Sequence, residues 1–470
     1  MNIANIKDFG AQNDDATNNA ILIQKAIDHC ANLGGGKVVI PAGKPYLSGP
    51  FSLKSNIELH LEQGAVLKAF PDESIYTKSA FRQNPGEGTV WIEGENLNQI
   101  SITGGGTLDG NGIFFMGEEL HDSYELKPFD VIDPRPHMLT LVSCKNIKIY
   151  GVTVSNAAYW ALHFIGCYDV SIENISLYNN LKIRNSDGID LDHCQNVRIS
   201  NCHIESGDDC ICLKNRREYE ELGPCRNIVI SNCTLISTSC AIKIGSENMD
   251  SINQVTFNNC MITGSCRGIG IQNRDEGTVS DIIFSNIMVE CKQFSEVWWG
   301  MAEPIYITAY PRASHDHKDA GWRLKPGVSE ASIGKVSNIT FANIHCKSEN
   351  GIFLGAASPD LLDNIKFNDI DIEISKTTEY VGGYYDCRPC KDDDFIGQQT
   401  AGFYMVNASN VNITNATVNW GDQKPEYYGN ALYAENISPL VLNNFKGDPA
   451  FEHLESIVEK GITQLEKITN

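Results

Sequence analysis

Residues 196–204 read Asn-Val-Arg-Ile-Ser-Asn-Cys-His-Ile, and residues 227–235 repeat the phrase as Asn-Ile-Val-Ile-Ser-Asn-Cys-Thr-Leu. In both copies apolar and polar residues alternate, which indicates a β-strand with one buried face. The phrase returns many times along the chain at intervals that begin at 23 to 31 residues. Its copies start at Asn146, Asp169, Asn196, Asn227, Gln254, Asp281, Asn338, Asn364 and Asn410.

A strand phrase that recurs at a nearly fixed period predicts a solenoid, because one turn cannot bury its own apolar edge and must stack on the next. Parallel strands joined repeatedly in one sense wind right-handed. The predicted fold is therefore all-β: a single-domain, right-handed parallel β-helix (a solenoid) with short capping helices, spanning residues 1–470. One repeat position is asparagine in most copies and predicts a ladder of stacked side chains at Asn174, Asn201, Asn232, Asn259, Asn286, Asn343 and Asn415.

The two ends of the chain and two long intervals depart from the repeat. An N-terminal cap is expected over about residues 1–50, with a helix at 17–32. A second amphipathic helix is expected at about 451–467. The long intervals predict loop insertions at about 291–337 and 373–400, and long loops on a rigid scaffold commonly carry binding residues.

A second strand precedes each phrase and carries two inward aliphatic residues. The residue between them points outward, because side chains alternate across a strand. These outward residues should form one column on the outer face of a sheet. The column is predicted to contain His163, Asp190, Cys212, Lys243, Gly270 and Tyr306.

The chain is acidic, with 37 basic and 59 acidic residues and a formal net charge of -22. This charge argues against nucleic acid as a partner, because phosphate binding needs a basic face. No apolar run is long enough for a membrane helix, so no membrane partner is expected. The first residues lack the apolar segment of a secretory signal, which predicts a cytoplasmic protein, or a secreted or periplasmic one if a signal has been removed. The oligomeric state stays open.

Sixteen cysteines are present. Cys202, Cys233 and Cys260 occupy one repeat position, which favours buried thiols over disulfides. Cys387 and Cys390 form a lone C-x-x-C, for which a loop is favoured over a zinc site. The sequence predicts no cofactor and no metal.

Two acidic motifs lie on neighbouring turns, at Asn185-Ser186-Asp187-Gly188 and at Gly207-Asp208-Asp209-Cys210. Aligning Ile189 with Ile211 brings Asp187 level with Asp209, one turn away. Such a cluster of carboxylates suits glycoside hydrolysis, which needs a proton donor and a base or nucleophile. Calcium binding and solvated turns are the alternatives.

The stretch from Tyr159 to Asn215, with Trp160, NSDGID and SGDDC, resembles glycoside hydrolase family 28, the polygalacturonase family. The resemblance implies inverting hydrolysis, with Asp208 as the proton donor and Asp187 and Asp209 activating water. For inversion we expect acid and base carboxyl groups about 6.5–9.5 Å apart. The matched motif residues Asn185, His163 and Lys214 become candidates for substrate binding, although His163 could equally be bonded to a neighbouring turn.

The chain departs from this family at two motifs. The Gly-His-Gly position is replaced near Ser239 and Cys240, and the Arg-Ile-Lys that holds the galacturonate carboxylate is replaced by Gly270-Ile271-Gln272. Lys243, one turn from Gly270 in the outward column, is a candidate replacement cation, and an ordinary surface lysine is the alternative. Gln272 and Arg274 are further candidate binding residues.

Trp298 and Trp299, in the first insertion, suit stacking on a sugar ring or anchoring of the loop. The function predicted is an inverting glycoside hydrolase that cleaves α-glycosidic bonds of pectin-like, galacturonate-containing oligosaccharides, with preference for chain ends. The partner is then an oligosaccharide or polysaccharide substrate. Two alternatives remain: a β-helical polysaccharide lyase or epimerase, and a non-catalytic carbohydrate-binding β-helix.

Overall fold

Each repeat places its apolar residues inward and its polar residues outward. In Gln195–Ser200, Val197 and Ile199 are buried while Arg198 between them is exposed. This strand pairs in parallel with Tyr168–Glu173, so that Val197 lies beside Val170 of the preceding turn. The chain is accordingly a right-handed parallel β-helix, as predicted.

The computed structural model describes residues 2–83, 86–120, 129–295, 300–313, 324, 327–328, 332–390, 395–397 and 399–468. The chain divides into two compact units. The first comprises Met1–Ser123, Lys127–Ile211 and Asn227–Cys233, and the second is formed mainly by Cys212–Arg226 and Thr234–Asn470. The expectation of a single domain stays a prediction.

In the first unit the strands fall into three columns, each made of parallel neighbours from successive turns. The first column contains Asn2–Asn5, Gly36–Ile40, Ile57–Leu61, Asn98–Gly104, Lys145–Tyr150, Tyr168–Glu173, Gln195–Ser200 and Cys225–Ser231. The second contains Tyr46–Ser48, Val66–Ala69, Thr107–Asp109, Thr153–Ser155, Ser176–Tyr178 and His203–Ser206. The third contains Phe51–Ser52, Gly88–Glu95, Arg135–Val142, Leu162–Ile165 and Ile189–Asp192. An antiparallel pair, Met116–Glu119 with Phe129–Val131, lies outside the columns.

In the second unit long strands form one set of parallel neighbours. They are Ile252–Ser265, Val279–Cys291, Val336–Ser348, Leu362–Ile374 and Phe403–Trp420, with the shorter Thr234–Ser237, Leu440–Asn443, Lys446–Gly447 and Leu465–Ile468. A second set of parallel neighbours in this unit contains Ile211–Asn215 (from Cys212 on), Cys240–Asn248, Arg267–Asn273, Ile305–Ala309, Ile352–Ala356, the start of Phe403–Trp420, Leu432–Ile437 and Ile457–Lys460. Within the second insertion, Tyr385–Asp386 pairs antiparallel with Phe395–Ile396.

The predicted asparagine ladder is present. Asn201 and Asn232 both have positive φ values, which asparagine tolerates better than most residues. The side-chain amide of Asn232 donates to the Asn201 oxygen at 3.2 Å. In the second unit the interior carries a stack of Phe257, Phe284 and Phe341, with ring centroids 5.3 and 5.0 Å apart. Identical residues stack because the strand spacing sets the distance between turns.

All sixteen cysteines are buried as thiols, which confirms the interpretation of Cys202 and Cys233 as interior residues. Burial raises the pKa of Cys167 and Cys291 well above the ordinary value. A hydrogen bond with Cys233 lowers the pKa of Cys202. Cys387 and Cys390 belong to a buried aromatic cluster.

The described helices are one α-helix, Ala20–Asn32, and the short 3₁₀ helices Ile6–Phe9, Glu73–Ile75, Gly112–Phe115 and Arg217–Leu222. The α-helix lies within the helix predicted at 17–32 and buries Ile23, Ala26, Ile27 and Cys30, which share one face. No helix among the described residues is long and apolar enough to cross a membrane.

The helix predicted at 451–467 is wrong. Ile457–Lys460 and Leu465–Ile468 are strands there, separated by Gly461 with a φ of +62°. They pair in parallel with Leu432–Ile437 and Leu440–Asn443. Those two strands would otherwise leave backbone hydrogen-bonding groups unpaired along an edge, and pairing them outweighs the helical pattern of the segment.

Candidate active site

The two acidic turns lie side by side in the first unit. The amide of Ile189 donates to the Cys210 carbonyl and the amide of Gly188 donates to the Asp209 carbonyl, each at 2.9 Å. This register brings Asp187 level with Asp209, as the sequence predicted. One carboxylate oxygen from each of Asp187, Asp208 and Asp209 lies within 4.8 Å of the others.

Two glycines allow these turns to approach each other. A Cβ atom on Gly188 would lie 2.5 Å from the Cys210 carbonyl oxygen, and one on Gly207 would lie 2.5 Å from the Ile183 oxygen. Ser186 links the turns directly, since its hydroxyl donates to the Ile183 carbonyl at 2.8 Å and accepts from the Gly207 amide at 3.1 Å. The spacing of the carboxylates is therefore fixed by close backbone contact.

The three carboxylates differ in exposure. Asp187 and Asp209 are 3% and 4% exposed, whereas Asp208 is only half-buried. Carboxylates this close repel one another, which favours a shared proton or a bound cation in such a cluster. The arrangement can therefore support proton transfer, and the same oxygens could also hold a metal ion.

Two buried residues that the sequence did not single out position the Asp187 turn. The Asn179 amide donates to the Ser186 carbonyl at 2.8 Å. Arg135 is fully buried and donates to the Arg184 carbonyl at 2.7 Å and to the Asn185 side-chain oxygen at 3.2 Å. The Asn185 oxygen predicted to bind substrate therefore accepts a hydrogen bond from Arg135. Neither Asn179 nor Arg135 lies in a recognisable motif, so no local sequence signal identifies them.

His163 is fully buried in a cluster of rings. Its ring centroid lies 4.7 Å from that of Trp160 and 5.5 Å from that of His137. Its Nε2 atom lies 3.7 Å from a carboxylate oxygen of the buried Asp192. The ring has no exposed surface and lies beside Asp192 of the neighbouring turn, so the alternative of a histidine bonded to a neighbouring turn remains open and a substrate contact stays a prediction.

The remaining candidates lie in the second unit. Lys214 is 4% exposed and Lys243 is half-buried. Lys243 pairs in register with Gly270, which pairs with Tyr306, as the predicted outward column requires. In the first unit His163 pairs with Asp190 in the same way.

Gln272 and Arg274 bind the backbone of the second insertion, and their role in substrate binding stays a prediction. Gln272 is 2% exposed and donates to the Arg388 carbonyl at 2.8 Å. Arg274 has no exposed surface and donates to the Cys387 carbonyl at 2.8 Å. Both side chains therefore donate hydrogen bonds to backbone carbonyls more than 110 residues away in the sequence.

The space beside Gly270 is filled by a different arginine. A Cβ atom on Gly270 would lie 2.9 Å from the Cys240 sulfur and 3.3 Å from Cδ of Arg267. The Arg267 guanidinium lies 3.7 Å from the centroid of the Tyr306 ring and 3.1 Å from the Glu303 carboxylate. Burial disfavours the charge of Arg267, but Glu303 and Tyr306 together raise the pKa of the guanidinium above its ordinary value. Trp298 and Trp299 lie outside the described residues.

The family model of glycosyl hydrolases family 28 matches residues 30–296, more than half of the chain. A probable polygalacturonase of Vitis vinifera is 33% identical over 270 residues, which cover 54% of this chain and 53% of that protein. An exopolygalacturonase of Cochliobolus carbonum is 28% identical, over 44% of this chain and 45% of that one. The chain thus spans about half the length of these relatives. The structure of a family 28 exopolygalacturonase of Yersinia enterocolitica covers 95% of this chain and 79% of its own, with 18% identity and a TM-score of 0.67, and so shares the fold. The family match spans both acidic turns, and it establishes that the chain belongs to the glycosyl hydrolases of family 28.

Proposed function

We propose that the protein hydrolyses α-glycosidic bonds of galacturonate-containing oligosaccharides with inversion, and that it acts from chain ends. The observation that carries the proposal is the cluster of Asp187, Asp208 and Asp209 on two neighbouring turns. The similarity to a probable polygalacturonase and to an exopolygalacturonase supports the substrate class. The similarity to an exopolygalacturonase supports action at chain ends.

The three carboxylates take different roles in this proposal. Asp208 is the most accessible of them and donates its proton to the glycosidic oxygen as the bond to the anomeric carbon breaks. Asp187 and Asp209 hold a water molecule, whose oxygen attacks the anomeric carbon from the opposite face. The proton lost by that water passes to one of these two carboxylates, and a later exchange with solvent restores the proton on Asp208.

The stereochemical outcome needs its own test. Inverting enzymes commonly separate the two carboxyl groups by about 6.5–9.5 Å and retaining enzymes by about 5–5.5 Å. One oxygen of each carboxylate lies within 4.8 Å of the others, which is a distance between single atoms and not between whole carboxyl groups. The proposal of inversion therefore rests on the motif resemblance.

Proton NMR of the first products tests the proposal. The substrates are a panel of pectic oligosaccharides whose reducing ends have been converted to alditols. We expect a new reducing end that appears first as the β-anomer and monosaccharide release from one chain end. An initial α-anomer would contradict inversion. An unsaturated product would instead indicate a lyase, and a change of sugar configuration without cleavage would indicate an epimerase. Binding of the oligosaccharide without any product would indicate a non-catalytic carbohydrate-binding protein.

A further inference from the structure

The backbone segment that ends at Asp187 is held at three carbonyl groups by side chains from earlier in the first unit. Arg135 donates to the Arg184 carbonyl at 2.7 Å. The side-chain amide of Asn179 donates to the Ser186 carbonyl at 2.8 Å and to the Asp187 carbonyl at 3.3 Å. The backbone that carries the Asp187 carboxylate is therefore fixed before a substrate binds.

Arg135 makes these contacts from a fully buried position. Its guanidinium lies 4.6 Å from the centroid of the Tyr159 ring. Its Nε donates to the Asp133 carboxylate at 2.8 Å, and its Nη1 also donates to the Ala158 carbonyl at 2.9 Å. The desolvation cost of a buried guanidinium offsets much of the stability that its ion pair contributes. The contacts with the segment before Asp187 therefore distinguish Arg135 from an ordinary stabilising residue.

One of these contacts determines which group Asn185 can offer to a ligand. Nη2 of Arg135 donates to the Asn185 side-chain oxygen at 3.2 Å. A guanidinium has donors and no acceptor, so the amide oxygen and not the NH2 group must face Arg135. Asn185 is partly exposed, and no residue that the structure describes accepts a hydrogen bond from its NH2 group. The side chain is thus a fixed donor two residues before Asp187.

We propose that Arg135 is a positioning residue that fixes Asn185 as a hydrogen-bond donor to a hydroxyl oxygen of the sugar. The inference rests on the proposed function for the identity of the substrate. A neutral amide donor suits a neutral hydroxyl oxygen, whereas a carboxylate is bound more strongly by a cation. Arg135 has no exposed surface and so acts through Asn185 without touching the substrate.

Asn185→Asp tests the donor, because it replaces the NH2 group with an acceptor of the same shape. Aspartate also tolerates the left-handed backbone at this position, where φ is +58°. The new carboxylate keeps the contact with Arg135, so the urea midpoint should stay at or above the wild-type value. We expect kcat/KM to fall about 10- to 100-fold on a galacturonate trisaccharide. A similar fall is expected on a trisaccharide whose carboxyl groups are reduced to hydroxymethyl groups, since both carry the hydroxyl. Where turnover is too slow to measure, binding to Asp208→Asn proteins replaces it.

Arg135→Lys tests whether Arg135 acts through Asn185. Lysine keeps the charge but not the planar fork, so the Asn185 amide is no longer held with its oxygen inward. We expect kcat to fall about 10- to 100-fold, because misplacing a group by about 1 Å can cost about 100-fold. The cost of Asn185→Asp should then be smaller in Arg135→Lys than in wild type. Arg198→Lys, the same exchange at an exposed residue of the first unit, is the control and should match wild type.

Wild-type activity in Asn185→Asp would overturn the inference and leave the proposed function intact. A loss confined to the acidic trisaccharide would do the same, because it would indicate repulsion by the new charge. Losses that add in the double variant, or that follow a lower urea midpoint, would reduce Arg135 to a structural residue. Absence of galacturonide hydrolysis in wild type would overturn the proposed function. Calorimetric binding of the trisaccharides to Asp208→Asn proteins then decides the inference separately. Weaker binding with Asn185→Asp would support it, and equal binding would overturn it.

Discussion

The Lys376 ammonium lies 2.5 Å from the Glu349 carboxylate, and this buried pair joins the bases of the two insertions in the second unit. Lys376 lies near the start of the second insertion and also donates to the side-chain oxygen of Gln293, at the base of the first, at 2.7 Å. The backbone amide of Thr378 donates to the same carboxylate at 2.7 Å. The two insertions are thus anchored at one shared carboxylate.

Glu349→Gln should destabilise the protein by about 3 kcal/mol, because it leaves the Lys376 charge buried without its counterion. Burial alone would raise the pKa of Glu349, but hydrogen bonds from Lys376 and Thr377 hold it below its ordinary value. A depressed folded-state pKa contributes stability above about pH 4.5, and this contribution is lost as the pH falls through the folded-state value. The free energies of unfolding of wild type and Glu349→Gln, measured with urea from pH 7 to pH 3, should therefore converge as the pH falls. A difference in the free energy of unfolding that does not change with pH would contradict an ionised Glu349 paired with Lys376.

Asp208→Asn should lower kcat about 100- to 10,000-fold, because it removes the proton donor without changing the shape of the side chain. The urea midpoint should change little, since Asp208 is only half-buried. Asp371→Asn, at a carboxylate whose side chain is 55% exposed, is the control and should keep wild-type turnover. Wild-type rates in Asp208→Asn would show that another group is the acid.

Lys243→Met should reduce kcat/KM on a galacturonate trisaccharide more than on a matched trisaccharide whose carboxyl groups are reduced to hydroxymethyl groups, because it removes a candidate cation for the acidic sugar. Lys243 is in register with Gly270, as its candidacy required. Kinetics of wild type and Lys243→Met on both trisaccharides give the comparison. An equal loss on the two substrates, or no loss on either, would rule out Lys243 as the cation that binds the galacturonate carboxylate.

Removal of divalent cations should leave turnover unchanged. The three carboxylates could hold a metal ion, but the proposed mechanism needs them as a proton donor and as bases. Added calcium should therefore inhibit or have no effect. The measurement is the rate after exhaustive chelation, with and without added calcium or magnesium. A rate lost to the chelator and restored by one of these ions would favour the calcium alternative.

The sequence predicted the features of the fold that the repeat determines, namely the strand register and the alignment of equivalent positions on neighbouring turns. The pairing of Lys243 with Gly270 and the alignment of Asp187 with Asp209 follow from counting residues along repeats whose side chains alternate. The hydrogen-bond partners of Gln272 and Arg274 could not be predicted, because they lie 116 and 113 residues away in an insertion without a repeat. The C-terminal segment was misassigned because its apolar spacing suits a helix, and only the preceding turn favours strands.

The sixteen buried thiols give the protein a set of internal reporters. A thiol reacts with an alkylating reagent only when the turn that covers it opens, so the rate of modification at each cysteine measures local opening. Cys144 and Cys167 lie in the first unit, while Cys291 and Cys346 lie in the second. Timed alkylation followed by mass spectrometry would therefore map, without any introduced label, whether the solenoid opens turn by turn or all at once.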